Sequence, residues 1–67
     1  MVDLADRQEL YATASRERQA RLRDMLEANE IEYVIRTESD VERLLLYRVF
    51  VTRREAAAAK RVLDKLS

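Results

Sequence analysis

The stretch that decides the fold is Leu45-Leu46-Tyr47-Arg48-Val49-Phe50-Val51-Thr52-Arg53-Arg54-Glu55, where two structural periods meet without a spare residue. Tyr47, Val49 and Val51 alternate with Arg48 and Phe50, the period of two that a pleated strand imposes on its side chains. Thr52 and Glu55 then stand at the spacing of a capping box, so the strand is expected to run straight into a helix. Continued helix from Val41 to Arg48 would instead give a three-helix bundle. The β-branched and aromatic residues of Tyr47 to Val51 argue for the strand.

Downstream, residues 53–66 carry Ala56, Ala59, Val62, Leu63 and Leu66 on one helical stripe, with Lys60, Asp64 and Lys65 outside it. Upstream, residues 31–37 alternate Ile31, Tyr33 and Ile35 against Glu32, Val34 and Arg36, which predicts a second strand. Residues 38–44 admit either a loop or a single helical turn started by Ser39 and Glu42. Ser15 is a good N-cap for a helix over residues 16–28, whose Leu22, Met25 and Leu26 form the apolar stripe. Asn29 is the natural stop, being tolerant of the left-handed backbone region. Residues 9–14 predict a short strand with Leu10, Ala12 and Ala14 on one side and Glu9, Tyr11 and Thr13 on the other. Residues 1–8 lack periodicity and read as a flexible tail before a single domain over residues 9–67.

The order strand, helix, strand, strand, helix predicts an α+β fold: a truncated ferredoxin-like plait. A right-handed crossover with the third strand inserted between the first two gives a three-stranded antiparallel sheet of order 1-3-2, with both helices on one face. The first strand is then an open edge.

Composition narrows the function. A chain of 67 residues holds one thin core, burying about 60% of its unfolded surface. It has no Cys and no His, so disulfides, conventional zinc sites, thiol nucleophiles and a base poised near neutral pH are all excluded. Oligomerisation is the remaining means of reinforcing so small a core. No enzymatic role and no cofactor are expected. Glu38, Asp40 and Glu42 are conceivable magnesium ligands, but alternating acids in a loop ordinarily face water. Nothing resembles a signal peptide or a membrane span, so the expected location is cytoplasmic.

Thirteen bases balance thirteen acids, yet they are segregated. Residues 7–23 carry five Arg against Glu9 and Glu17, residues 24–42 carry seven acids against Arg36, and residues 43–67 carry seven bases against Glu55 and Asp64. An acidic middle and basic flanks that pair across a folded surface account for this pattern.

The strand at residues 9–14, the phrase Leu26-Glu27-Ala28-Asn29-Glu30-Ile31, the phrase Tyr47-Arg48-Val49-Phe50-Val51 and the Ala-rich last helix together resemble a family of small bacterial domains described as prokaryotic signal-transducing proteins, similar in fold to the PII nitrogen regulators. The resemblance spans about residues 9–66. It implies a role in signal transduction, and small-ligand sensing of nucleotides is one form that role takes. Its motifs are fold motifs, however, and this chain has no Gly-rich loop to which a phosphate site can be transferred. The family commonly has Gly after the Asn. Here Glu30 occupies that place, so the helix ending is expected to be strained or shifted by one residue.

The residues that the helices leave uncovered carry the functional expectation. If Leu10, Ala12, Tyr33, Ile35, Tyr47, Val49 and Val51 face the helices, then Tyr11, Val34, Leu46 and Phe50 face away, beside Arg36 and Arg48. An uncovered apolar cluster of this kind marks an interaction surface, which points to a regulatory module that forms a homo-oligomer, a dimer in the simplest case, or docks a protein partner. The alternative is RNA or other nucleic-acid binding through Arg16, Arg18, Arg21, Arg36 and Arg48 with aromatic stacking. That reading ordinarily goes with a domain far more basic than one of pI 6.3.

Overall fold

A computed structural model describes residues 6–39 and 45–66. The elements are β1 (Arg7–Thr13), α1 (Arg16–Ala28), β2 (Tyr33–Ser39), β3 (Leu45–Thr52), a 3-10 turn (Arg53–Glu55) and α2 (Ala56–Asp64). The sheet is antiparallel throughout in the order β1-β3-β2, as the sequence predicts.

The strand-to-helix junction forms at Thr52. Its Oγ1 accepts the Glu55 backbone N–H at 3.3 Å. The Glu55 carboxylate is held at 3.1 Å by the Thr52 hydroxyl rather than by the Thr52 backbone N–H of a standard capping box. A 3-10 turn therefore precedes the α-helix proper, and the start of β1 ties it down because the Arg53 N–H donates to the Asp6 carbonyl at 3.0 Å. At α1, Ser15 Oγ accepts the Arg18 N–H at 3.2 Å, the expected N-cap.

Both helices pack on the face of β3 that carries Val49 and Val51. Those two residues are fully buried against Leu22 and Leu26 of α1, against Ala56, Ala59 and Val62 of α2, and against Leu66 in the turn that follows it. Burial of this apolar surface is what holds the layers together, since no cross-link does. The Cα trace is 15 Å deep along its thinnest axis, the depth of a sheet with one helical layer. A second layer would add roughly 10 Å.

Several features differ from the sequence reading; β1 ends at Thr13 instead of residue 14, and α2 at Asp64 instead of residue 66. β1 begins at Arg7, not residue 9, because Arg7 and Gln8 pair with Thr52 and Val51; residues 1–5 of the expected tail lie outside the described residues. β1 also contains a bulge: Glu9 pairs with Phe50 and Tyr11 with Val49, which leaves Leu10 as the extra residue. The left-handed residue after α1 is Glu30, at φ 58°, while Asn29 stays at φ −99°. The Glu30 N–H reaches the Glu27 carbonyl at 3.0 Å and the Ile31 N–H reaches the Leu26 carbonyl at 2.9 Å, the two bonds of a Schellman ending. Ile31 is thereby pulled into the core beside Leu26, so β2 starts at Tyr33 and continues to Ser39, opposite Leu45. Ser39 is thus ladder, and residues 40–44, with the rest of the proposed helical turn, lie outside the described residues.

Candidate functional site

β3 is the central strand, so its alternation sorts the whole sheet. Side chains opposite each other in an antiparallel pair share a face. Val34 and Glu9 flank Phe50, Arg36 and Ala12 flank Arg48, and Glu38 pairs with Leu46, all on the face away from the helices. Val34, Arg36, Leu46, Arg48 and Phe50 therefore come together as expected. Tyr11 does not. The bulge at Leu10 puts Tyr11 opposite Val49, and both Leu10 and Tyr11 pack against the core, while Ala12 moves to the open face. Phe50 is consequently the one aromatic side chain of the described residues on that face.

Arg48 stands at the centre of the open face and joins all three strands. Its Nη1 donates to Glu9 Oε1 of β1 at 2.7 Å, and its Nε donates to Glu38 Oε1 of β2 at 3.0 Å. These hydrogen bonds, first to Glu9 and then to Glu38, hold its proton more tightly than in a free guanidinium. The strap is partly wet: Arg48 is 34% exposed, Glu9 41% and Glu38 52%. Arg7, level with Thr52 at the upper end of the face, reaches Glu32 at 3.8 Å and is only 15% exposed. Val34, Leu46 and Phe50 are half-buried in the gaps between these groups. The surface is an apolar strip crossed by an acid-base-acid strap.

The arginines of the nucleic-acid reading fall on opposite sides of the molecule. Arg16, Arg18 and Arg21 belong to α1, in the helical layer, whereas Arg36 and Arg48 lie on the open face. Arg16 is engaged there with the Tyr47 hydroxyl at 3.4 Å, and this contact keeps its guanidinium protonated beyond the ordinary range. No single groove gathers them. A shallow cavity of about 380 Å³ does collect Arg7, Arg53 and Arg54 with Asp6 and Thr52 at the start of the 3-10 turn. Thr52 caps Glu55 and the Arg53 N–H bonds the Asp6 carbonyl, while Arg7 Nη1 is buried without a hydrogen-bond partner among the described residues.

Among the described residues no cluster of three or more Asp or Glu side chains is arranged to hold a metal ion. Of the three acids considered for magnesium, Glu38 is bonded to Arg48, and Asp40 and Glu42 lie outside the described residues. No described helix is long and apolar enough to cross a membrane. Compared with protein-family models, curated proteins and solved structures, the chain has no significant match.

Proposed function

We propose that the chain is a small, non-catalytic interaction module of the regulatory kind, which associates with a second copy of itself through its sheet. The observation that carries this reading is the unfinished state of the sheet. Among the described residues helices cover one face only, and β1 and β2 each have a single neighbour, β3. Unpaired edges are templates for another strand, and small cores gain most from such a partner.

Magnitude favours the edge over the open face as the seam. Three strands about 4.8 Å apart and some seven residues long present a face of roughly 14 by 23 Å, well below the approximately 800 Å² per partner of a standard interface. Packing two such faces together would also take the Glu9–Arg48–Glu38 strap out of water, and that desolvation cancels much of the gain. Edge pairing leaves the strap wet and adds backbone hydrogen bonds. The residues Val34, Arg36, Leu46, Arg48 and Phe50 then form part of a wider surface that two copies share.

Sedimentation velocity over a concentration series tests this reading. The expected result is a weight-average mass that rises from one chain toward two. A single-chain mass at every concentration, including the highest attainable, refutes it.

A further inference from the structure

The seam itself can be located, on the reading that two copies associate through their sheets. The two outer strands are not equivalent templates. β1 is broken by the bulge at Leu10, a device that bends an edge and interrupts its row of donors and acceptors. β2 pairs with β3 at seven consecutive positions without a break, so its outer row is straight. β2 also carries an unsettled charge. Arg36 is exposed, stands directly opposite Arg48, and has no ion-pair or hydrogen-bond partner among the described residues. Like charges opposed across a ladder repel.

A two-fold axis normal to the sheet makes β2 its own antiparallel partner, and charge then selects among the registers. Centring on Arg36 would oppose Arg36 to the partner's Arg36. Centring on Ile35 would leave Arg36 against the partner's Val34 and bring Glu38 toward the partner's Glu32. Centring on Thr37 opposes Thr37 to the partner's Thr37 and each Arg36 to the partner's Glu38, with residues 35–39 all inside the ladder. Glu38 uses Oε1 for Arg48, and a carboxylate has lone pairs to spare for a second donor.

We infer that two copies join by antiparallel β2–β2 pairing centred on Thr37, each Arg36 lying opposite the partner's Glu38. The product is one continuous sheet of order β1-β3-β2-β2-β3-β1 with its helices on one side. The two strips around Phe50 become neighbours on the other side.

Cysteine placement reads the register directly, since the chain has no thiol of its own. In this register Thr37→Cys faces its own copy at a Cβ separation of about 4.5–5.5 Å, close to disulfide range. Ser39→Cys faces the partner's Ile35 instead, which leaves the two introduced thiols roughly 13 Å apart along the strands. Mild oxidation is expected to convert Thr37→Cys, and not Ser39→Cys, into a covalent dimer. In parallel, Arg36→Glu is expected to weaken association about tenfold by setting acid against acid, and the exchange Arg36→Glu with Glu38→Arg to restore it to within about threefold. Circular dichroism of each variant confirms that the monomer is folded. A dimer by sedimentation that cross-links equally well or better through Ser39→Cys, or that ignores the charge exchange, overturns the register and leaves self-association standing. A single-chain mass under all conditions overturns both.

Discussion

Replacing Glu30 with Gly should stabilise this domain, because the only positive φ among its described non-glycine residues is held by a residue with a Cβ. At φ 58° that Cβ crowds the following carbonyl, at a cost of about 1–2 kcal/mol relative to glycine. Gly returns roughly 0.4–1 kcal/mol of this through the greater freedom of the unfolded chain. The net expectation is a gain of about 0.5–1 kcal/mol, which for a domain of this size raises Tm by roughly 3–6 °C. The backbone geometry supports keeping the turn in place. Both Schellman bonds are backbone to backbone, and the Ile31–Leu26 contact that accompanies them is in the core. Glu30→Ala is the control: it removes the carboxylate from the negative end of the α1 dipole and keeps the Cβ, so it isolates the electrostatic share, a few tenths of a kcal/mol. Urea denaturation followed by circular dichroism measures all three proteins, with an unchanged m-value as the condition for comparison. If Glu30→Gly left the midpoint unchanged or lowered it, or if Glu30→Ala matched it, the assignment of backbone strain to this position would be wrong.

Other outcomes follow from the same structure. Leu26→Ala, at a fully buried side chain, should cost about 2–5 kcal/mol, enough to leave a domain of marginal stability largely unfolded by amide dispersion in NMR; a well-dispersed spectrum at ordinary temperature would contradict the core described above. Phe50→Ser should lower the urea midpoint modestly, since the ring is half-buried, yet leave the sedimentation series unaltered; loss of association in a folded Phe50→Ser protein would move the seam to the open face. The Tyr33 hydroxyl donates to Glu27 at 2.7 Å, and that bond, aided by burial and the nearby carboxylate charge, raises the phenol above its ordinary pKa. A folded pKa above the unfolded value of about 10 means the contribution is present in full below that pH and is lost as pH rises through the folded value. Stability measured across alkaline pH should therefore fall more steeply in the wild type than in Tyr33→Phe, and parallel curves would count against the bond.

The elements that depend on neighbouring residues alone were legible in the sequence. The Thr52 junction, the α2 stripe and the Ser15 cap each follow from local spacing, and the order 1-3-2 follows from topology rules applied to them. What was not legible depends on which residue of another strand stands opposite. Period-two reading of β1 fails at Leu10 because one residue there has no counterpart on β3, and every assignment on one side of the bulge changes face relative to the other. The adjacent apolar pair Leu10-Tyr11, set between Glu9 and Ala12, was the available sign that two consecutive side chains enter the core together.

That one slip in register changes the character of the surface as well as the strand assignment. With Tyr11 on the open face, the surface holds two aromatic rings and resembles a stacking platform, and β1 is the open edge that invites a partner. With Tyr11 in the core, the ring count falls to Phe50 alone and the bulge disables β1 as a template. Arg36 stands opposite Arg48, whose acids lie on either side of it, and is left as the open-face arginine whose charge is unanswered among the described residues. A charge that repels its own neighbour and stands on a straight edge two residues from an acid is best satisfied by the same edge running the other way, and for that reason β2, not β1, is the strand on which a second copy should pair.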